Sequence, residues 1–324
     1  MKNHKNTLIL VAAALLLGVY SYFFERGPVK PKEDEAKKVK VFDNFVADDI
    51  REINIEYLGS TTNAAKYTID IQKDDKDIWQ ITSPQNFKAD ESVVRSMLTG
   101  VGDFNPDTTI DNPAHLKDFG LDPPVAHCVM KAKSGTVFDL LIGDKNMGNT
   151  STYVKPANKN TVYLVTTYAA DNLKKGLNDY RDHNFIKTDI VLAQKVQVTR
   201  AGKTTLFEKD KDNNWNITQP IHAKADSAKV RDLLNSISSL RIEEFANDHP
   251  SNLGSYGLSS PKAKVEVWSS DSKTSRSILF GKKKDKTANM FAKDSDHPYV
   301  YLVGEYFDKT LDLKLSDYRD KSAM

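Results

Sequence analysis

Seven histidines, a single cysteine, three tryptophans and two Asp-Tyr-Arg-Asp runs are the residues from which this chain would have to build a reactive or ligand-binding site. The histidines (His4, His115, His127, His183, His222, His249 and His297) are scattered, and none falls into the His-Glu-x-x-His spacing that places two imidazoles on one helix face. His115 and His249 each precede a Gly-Leu pair, but at unequal distances, which favours loop positions over a ligand pair. No Gly-x-Ser-x-Gly supplies an activated hydroxyl. Cys128 stands alone, so neither an internal disulfide nor a Cys-x-x-Cys redox pair can form, and its flanks read as a strand in which a small thiol packs. The nearest approach to a phosphate loop is Gly281-Lys282-Lys283-Lys284-Asp285-Lys286, which lacks the second glycine and the hydroxyl residue and reads as a solvated hairpin. No nucleotide, metal or other cofactor is implied.

Trp79 and Trp215 are candidate stacking platforms for a sugar or peptide. Their surroundings favour a structural role, because each sits in a short strand pattern just before a helix start and would plug a sheet–helix core. The Asp-Tyr-Arg-Asp runs, Asp179–Asp182 and Asp317–Asp320, read as devices that close each repeat through hydrogen bonds and ion pairs. Lysine and arginine total 46 against 44 acidic residues, so the net charge of +2 offers no basic stripe for nucleic acid.

These residues are positioned by a unit that the chain writes twice. Trp79, Pro84, Asp90 and Arg95 recur as Trp215, Pro220, Asp226 and Arg231, always 136 positions later. Phe119-Gly120-Leu121 recurs as Tyr256-Gly257-Leu258 at an offset of 137, and Gly143 as Gly281 at 138. Tyr180-Arg181 recurs as Tyr318-Arg319. So small a drift over a hundred residues is the signature of a duplication.

Within each copy the pattern predicts an antiparallel meander. Residues 53–57, 67–71 and 78–82 alternate apolar and polar side chains with the two-residue period of a half-buried strand. Asp90 and Asp226 then stand where a carboxylate can accept from the open amides of a first helical turn. Val93, Val94, Met97, Leu98 and Val101 make one apolar face, answered by Val230, Leu233, Leu234, Ile237 and Leu240. Gly120-Leu121 and Gly257-Leu258 are stop-and-turn signals ahead of proline. Strands 125–131 and 137–142 follow, closing at Gly143, with counterparts 263–268 and 277–280 closing at Gly281. A second helix carries Tyr168, Leu173 and Leu177 in one copy and Tyr306, Leu311 and Leu315 in the other. The expected fold class is α+β: two tandem similar units, 41–187 and 188–324, each an antiparallel sheet with about two packed helices.

Ahead of them, Leu8–Phe24 is an uncharged run of seventeen residues behind Lys2 and Lys5. As a helix it would cover about 26 Å, close to the roughly 30 Å of a hydrocarbon core. Aromatic bulk at Tyr20, Tyr22, Phe23 and Phe24 suits an interfacial belt and does not suit signal cleavage. Residues 1–25 are therefore expected to be a transmembrane signal anchor and 26–40 a linker. That places the chain in the cytoplasmic (inner) membrane, single-pass, with its N-terminus cytoplasmic and its body periplasmic.

The combined pattern of signal anchor, Trp-x-Ile, Pro, Ala-Asp, helix, Tyr/Phe-Gly-Leu-x-x-Pro and Tyr153-Val154-Lys155 near Val162-Tyr163-Leu164-Val165 resembles a bacterial membrane-anchored family of unknown function. The resemblance covers both repeats, with a departure at Phe291-Ala292-Lys293. Members are often encoded beside gliding-motility-type ABC transporter components, and the family has no catalytic or binding residues to carry over. It implies a non-enzymatic extracytoplasmic accessory or scaffold protein whose partners are the membrane and transporter or other envelope proteins. The alternative is an extracytoplasmic glycan- or peptide-binding protein. A hydrolase with an unrecognised site stands third.

Overall fold

The computed structural model describes residues 39–59, 66–185, 192–270 and 275–321. Two nine-stranded antiparallel sheets follow one another along the chain. The first contains β1 (Ile50–Tyr57), β2 (Tyr67–Lys73), β3 (Trp79–Ser83), β4 (Phe87–Lys88), β5 (Thr108–Asp111), β6 (Ala126–Ala132), β7 (Val137–Lys145), β8 (Ser151–Pro156) and β9 (Thr161–Thr166). Their order is β4-β3-β2-β1-β6-β7-β8-β9-β5. The second contains β10 (Ala193–Arg200), β11 (Lys203–Lys209), β12 (Trp215–Gln219), β13 (Ala223–Lys224), β14 (Ile242–Asn247), β15 (Ala263–Ser269), β16 (Ser275–Lys283), β17 (Met290–Asp294) and β18 (Val300–Val303). Its order, β13-β12-β11-β10-β15-β16-β17-β18-β14, repeats the first strand for strand.

Period-two patterning selects the faces. Val196 and Val198 of β10, Ile217 of β12, and Val265 and Val267 of β15 are buried, while the residues between them are not. Onto that face packs the helix Ser227–Ser238, through Val230, Leu233, Leu234 and Ile237. Full burial of one such side chain is worth about 1.5–3 kcal/mol. The corresponding helix of the first copy, Glu91–Gly102, buries Val94, Met97, Leu98 and Val101. Asp226 accepts from the amides of Ala228 and Lys229 at 2.9 and 3.2 Å, and Asp90 from those of Ser92 and Val93 at the same two distances.

The structure differs from the sequence reading in four respects. The second helix of each copy is broken: Thr167–Asp171, a 3-10 turn at Asn172–Lys174 and Leu177–Tyr180 in the first, Tyr306–Thr310 and Leu315–Tyr318 in the second. Tyr168 and Tyr306, expected on its apolar face, are 81% and 55% exposed. The passages between the capped helix and the Gly-Leu turn, to which the sequence pattern assigns no element, contain β5 and β14, outer strands whose polar Thr-Thr-Ile-Asp and Ile-Glu-Glu-Phe-Ala-Asn sequences hide the alternation. Gly143 and Gly281 do not end their strands but lie inside β7 and β16.

The fourth difference concerns the membrane. Among the described residues no helix is long and apolar enough to cross one. The longest have 12 residues, about 18 Å of rise against a roughly 30 Å hydrocarbon core. The run expected to span, Leu8–Phe24, lies outside the described residues. The fold class is corrected to two tandem antiparallel sheet units with packed helices. The transmembrane anchor, membrane partner, inner-membrane and periplasmic localisation and membrane-anchored, transporter-associated role are withdrawn with it.

By packing, the chain divides into two compact units. One runs up to Thr68 and resumes over Met97–Lys174; the other joins Ile69–Ser96 to the chain from Lys175 onward.

Candidate functional site

The Asp-Tyr-Arg-Asp runs do the same backbone work in both copies. The Asp90 amide donates to the Tyr180 carbonyl at 2.8 Å and the Asp182 amide to that of Lys88 at 2.9 Å. Asp226 and Tyr318 make the first bond again at 2.8 Å, and Asp320 and Lys224 the second at 3.0 Å. Isolated bridges pair Ala89 with Arg181 and Ala225 with Arg319. Each run thus clips onto the strand that leads into the capped helix, occupying backbone groups that would otherwise end the sheet unpaired.

The side chains then part company. Tyr180 is fully buried, whereas Tyr318 is half-buried, its ring 5.2 Å from that of Phe207. Arg319 is half-exposed. Arg181 is 2% exposed and grips Asp248 with both terminal nitrogens, at 3.0 and 2.7 Å. A third bond reaches Asn178 at 3.2 Å. Its guanidinium lies 3.7 Å from the ring centres of both Phe87 and Phe245 and 5.3 Å from that of Tyr299. A planar cation with a carboxylate in its own plane and rings on both faces has its solvation replaced group by group.

Around this arginine, wholly within the second compact unit, is a pocket of about 260 Å³. Strands β3 and β4 contribute Gln80, Phe87 and Lys88, with Asn86 just ahead of β4; the run after Arg181 contributes Asp182, Asn184 and Phe185. Ile242 and Phe245 come from β14, and His297, Tyr299 and Tyr301 from the turn into β18 and the strand itself. Lys88 donates to Asp182 at 2.7 Å. Burial alone would raise the Asp182 carboxyl, but the Lys88 ammonium and donors from Asn184 hold it below its ordinary value. His297 lies flat against Tyr299, centroids 5.6 Å apart and planes 10° apart. Its Nδ1 is 3.1 Å from Asp294 Oδ1, and Asp294 is itself buried and accepts the amides of Asp296 and His297 at 2.7 Å. That hydrogen bond raises the His297 pKa against the opposing cost of burial. Burial and the nearby Asp294 carboxylate likewise raise Tyr301.

Of the repeat-signature residues, Arg181 reaches this pocket, together with Asp182 from the same run; His297, one of the scattered histidines, lines it as well. Trp79 and Trp215 are 4% and 6% exposed, each beneath a lysine ammonium (Lys73 at 5.2 Å, Lys209 at 5.1 Å). Neither presents an open ring face. Pro84 and Pro220 follow cis peptide bonds at the ends of β3 and β12. Gly120 and Gly257 hold left-handed φ of 63° and 69°, and Leu121 and Leu258 after them are buried. That turn rests on Gly143 in the first copy and Gly281 in the second, where a Cβ would run into the carbonyl oxygens of Phe119 and Tyr256 respectively. Glycine at these strand positions serves a close approach of backbone to backbone. Cys128 is fully buried, which pushes its thiol up to about 12. Among the described residues no group of three or more histidine, cysteine, aspartate or glutamate side chains could hold a metal.

The sequence reading missed Phe87, Phe245, Asp248, His297 and Tyr299 as site residues. Only the Tyr299–Tyr301 alternation ahead of Val303 hinted at a shared strand face; Asp248 is 67 positions from Arg181.

A family model described as Domain of unknown function (DUF4340) matches residues 79–250 and again 215–324. Both matches begin at the repeated tryptophan. No curated protein matches the chain, and no solved structure does.

Proposed function

The chain belongs to the DUF4340 family, and we propose that it is a non-enzymatic binding module whose ligand seat is the pocket beside Arg181. The observation that carries this reading is the character of the lining: ring walls, amide groups, and ionisable side chains that already hold partners of opposite charge. Lys88 is held by Asp182, Arg181 by Asp248 and His297 by Asp294. No serine, threonine or cysteine lines the pocket, and the hydroxyls that do, on Tyr299 and Tyr301, have pKa values pushed upward, so His297 has no readily activated nucleophile there. Ring walls with a few fixed polar groups are the ordinary make-up of a binding site, and about 260 Å³ lies just below the range for drug-sized ligands. The occupant is therefore a small molecule or one group of a larger one.

The test is a thermal-shift screen of the full chain against small metabolites, sugars and short peptides, repeated with Tyr299→Ala. A ligand that raises the wild-type Tm by several degrees and leaves the variant unmoved supports a pocket-borne binding function. Turnover of any compound, reduced by His297→Gln, would replace this reading with an enzymatic one.

A further inference from the structure

We propose that the ligand this pocket receives is a carboxylate carried on an apolar, preferably planar, body. The inference rests on the binding-module reading and deepens it by naming the ligand's chemistry. It comes from which end of each ion pair faces outward. In the Lys88–Asp182 pair the lysine side chain is 35% exposed and the aspartate 12%. In the His297–Asp294 pair the histidine is 50% exposed and the aspartate 1%. In both pairs the cationic member is the more exposed one; Asp294 is absent from the lining, and Asp182, which does line the pocket, is neutralised by Lys88 at 2.7 Å. The third pair is reversed, Arg181 being 2% exposed and Asp248 29%, but Asp248 is not part of the lining.

The surface that results carries donors with no protein acceptor. Asp294 fixes the imidazole through Nδ1 and leaves Nε2 without a protein partner among the described residues. The Asn86 carboxamide and the Tyr299 hydroxyl also have none. An acceptor with two oxygens satisfies such donors better than a neutral hydroxyl, because a hydrogen bond to a charged acceptor is roughly twice as strong. Phe185, Ile242, Phe87 and Phe245 also line the pocket, the last two each with one ring face against the guanidinium. They offer contact to a hydrocarbon or aromatic body and nothing to a second charge.

The groups around His297 fix the direction of the pH effect. Asp294 and Asp296 on its own turn raise its pKa and Lys293 opposes them. Tyr299, just ahead of β18, and Tyr301 within it have pKa values pushed upward and stay neutral, and Lys88, Asp182 and Arg181 are the other charged groups of the lining. A carboxylate therefore binds best while His297 is protonated, and affinity falls as the pH rises through the raised value.

The full chain is titrated with phenylacetate and, separately, with its uncharged amide, at pH 6 and pH 8.5, by NMR or calorimetry. Phenylacetate should bind at least about tenfold more tightly than the amide at pH 6, the factor that one charge-assisted hydrogen bond supplies. The preference should shrink at pH 8.5 and in His297→Gln, with Asn86→Ala as a second, surface-borne variant should the first not fold. A peptide ending in phenylalanine with a free carboxylate, against its C-terminal amide, tells a peptide terminus from a free organic acid as the source. Equal binding of acid and amide overturns the carboxylate assignment. If the acid does not bind but another compound shifts the wild type and not Tyr299→Ala, the assignment falls and the binding module stands. If nothing binds at the pocket, both fall.

Discussion

Arg181 and Arg319 occupy the same place in the repeat, make the same backbone bridge and should differ sharply in energetic weight. Removing Arg181 leaves Asp248 without its bidentate partner and opens a gap between Phe87 and Phe245. Breaking a buried pair costs about 3–5 kcal/mol, and Asp248 is exposed enough to put Arg181→Ala near the lower end. Arg319 is half-exposed, so Arg319→Ala should cost less than about 1 kcal/mol. Urea denaturation of the two variants decides the matter, and equal losses would show that the backbone clip alone stabilises. His297 carries the second prediction at this scale. Its folded pKa is raised, so its contribution is whole below the unfolded value near 6.5 and is lost as the pH climbs through the folded one. The side chain is half-exposed, which keeps that contribution below about 1 kcal/mol. The Tm difference between wild type and His297→Gln should be largest near pH 5 and close to vanish by pH 9. A difference that grows with pH would reverse the sign of the interaction. The sequence displayed the Arg181 motif but not its consequence, because the residues that make it different from Arg319 come from three separate segments with no shared spacing.

At the scale of elements the duplication was legible because backbone requirements recur with the chain. A left-handed turn at Gly120 and Gly257 must be rewritten in each copy, and so must an N-cap at Asp90 and Asp226. What stayed hidden were β5 and β14, whose outer position removes the need for alternating apolar residues, and the purpose of Gly143 and Gly281. These two read as strand ends, yet each is the bed on which the Gly-Leu turn lies. Gly143→Ala and Gly281→Ala should accordingly cost about 1–3 kcal/mol, as overpacking does. Gly100 supplies the contrast. It sits in the helix Glu91–Gly102 with nothing within 4 Å of an added Cβ. Gly100→Ala should therefore stabilise by about 0.5–1 kcal/mol through helix propensity. Chemical denaturation of the three variants checks both signs, and a neutral Gly143→Ala would mean that the turn can lift off the strand.

At the scale of the whole molecule, the packing division does not follow the sequence repeat. Residues 69–96, which belong to the first copy by sequence, pack in the second compact unit. Through Phe87 and Lys88 they also supply part of the pocket wall. Cooperative units defined by contacts open together, which makes the division measurable by amide hydrogen exchange. Phe207 is fully buried in the core of the second sheet, and Phe207→Ala should cost about 3–5 kcal/mol. Its effect should reach Trp79 and Ile81 as well as Val196 and Val265, while Cys128 and Leu140 keep their protection. Ile142, fully buried in β7, is the reciprocal site: Ile142→Ala should raise exchange at Cys128 and Leu140 and spare Val265. If Trp79 and Ile81 instead follow the Ile142 variant, the duplicated sequence rather than the packing sets the folding unit. The pocket beside Arg181 would then be assembled from parts that open independently.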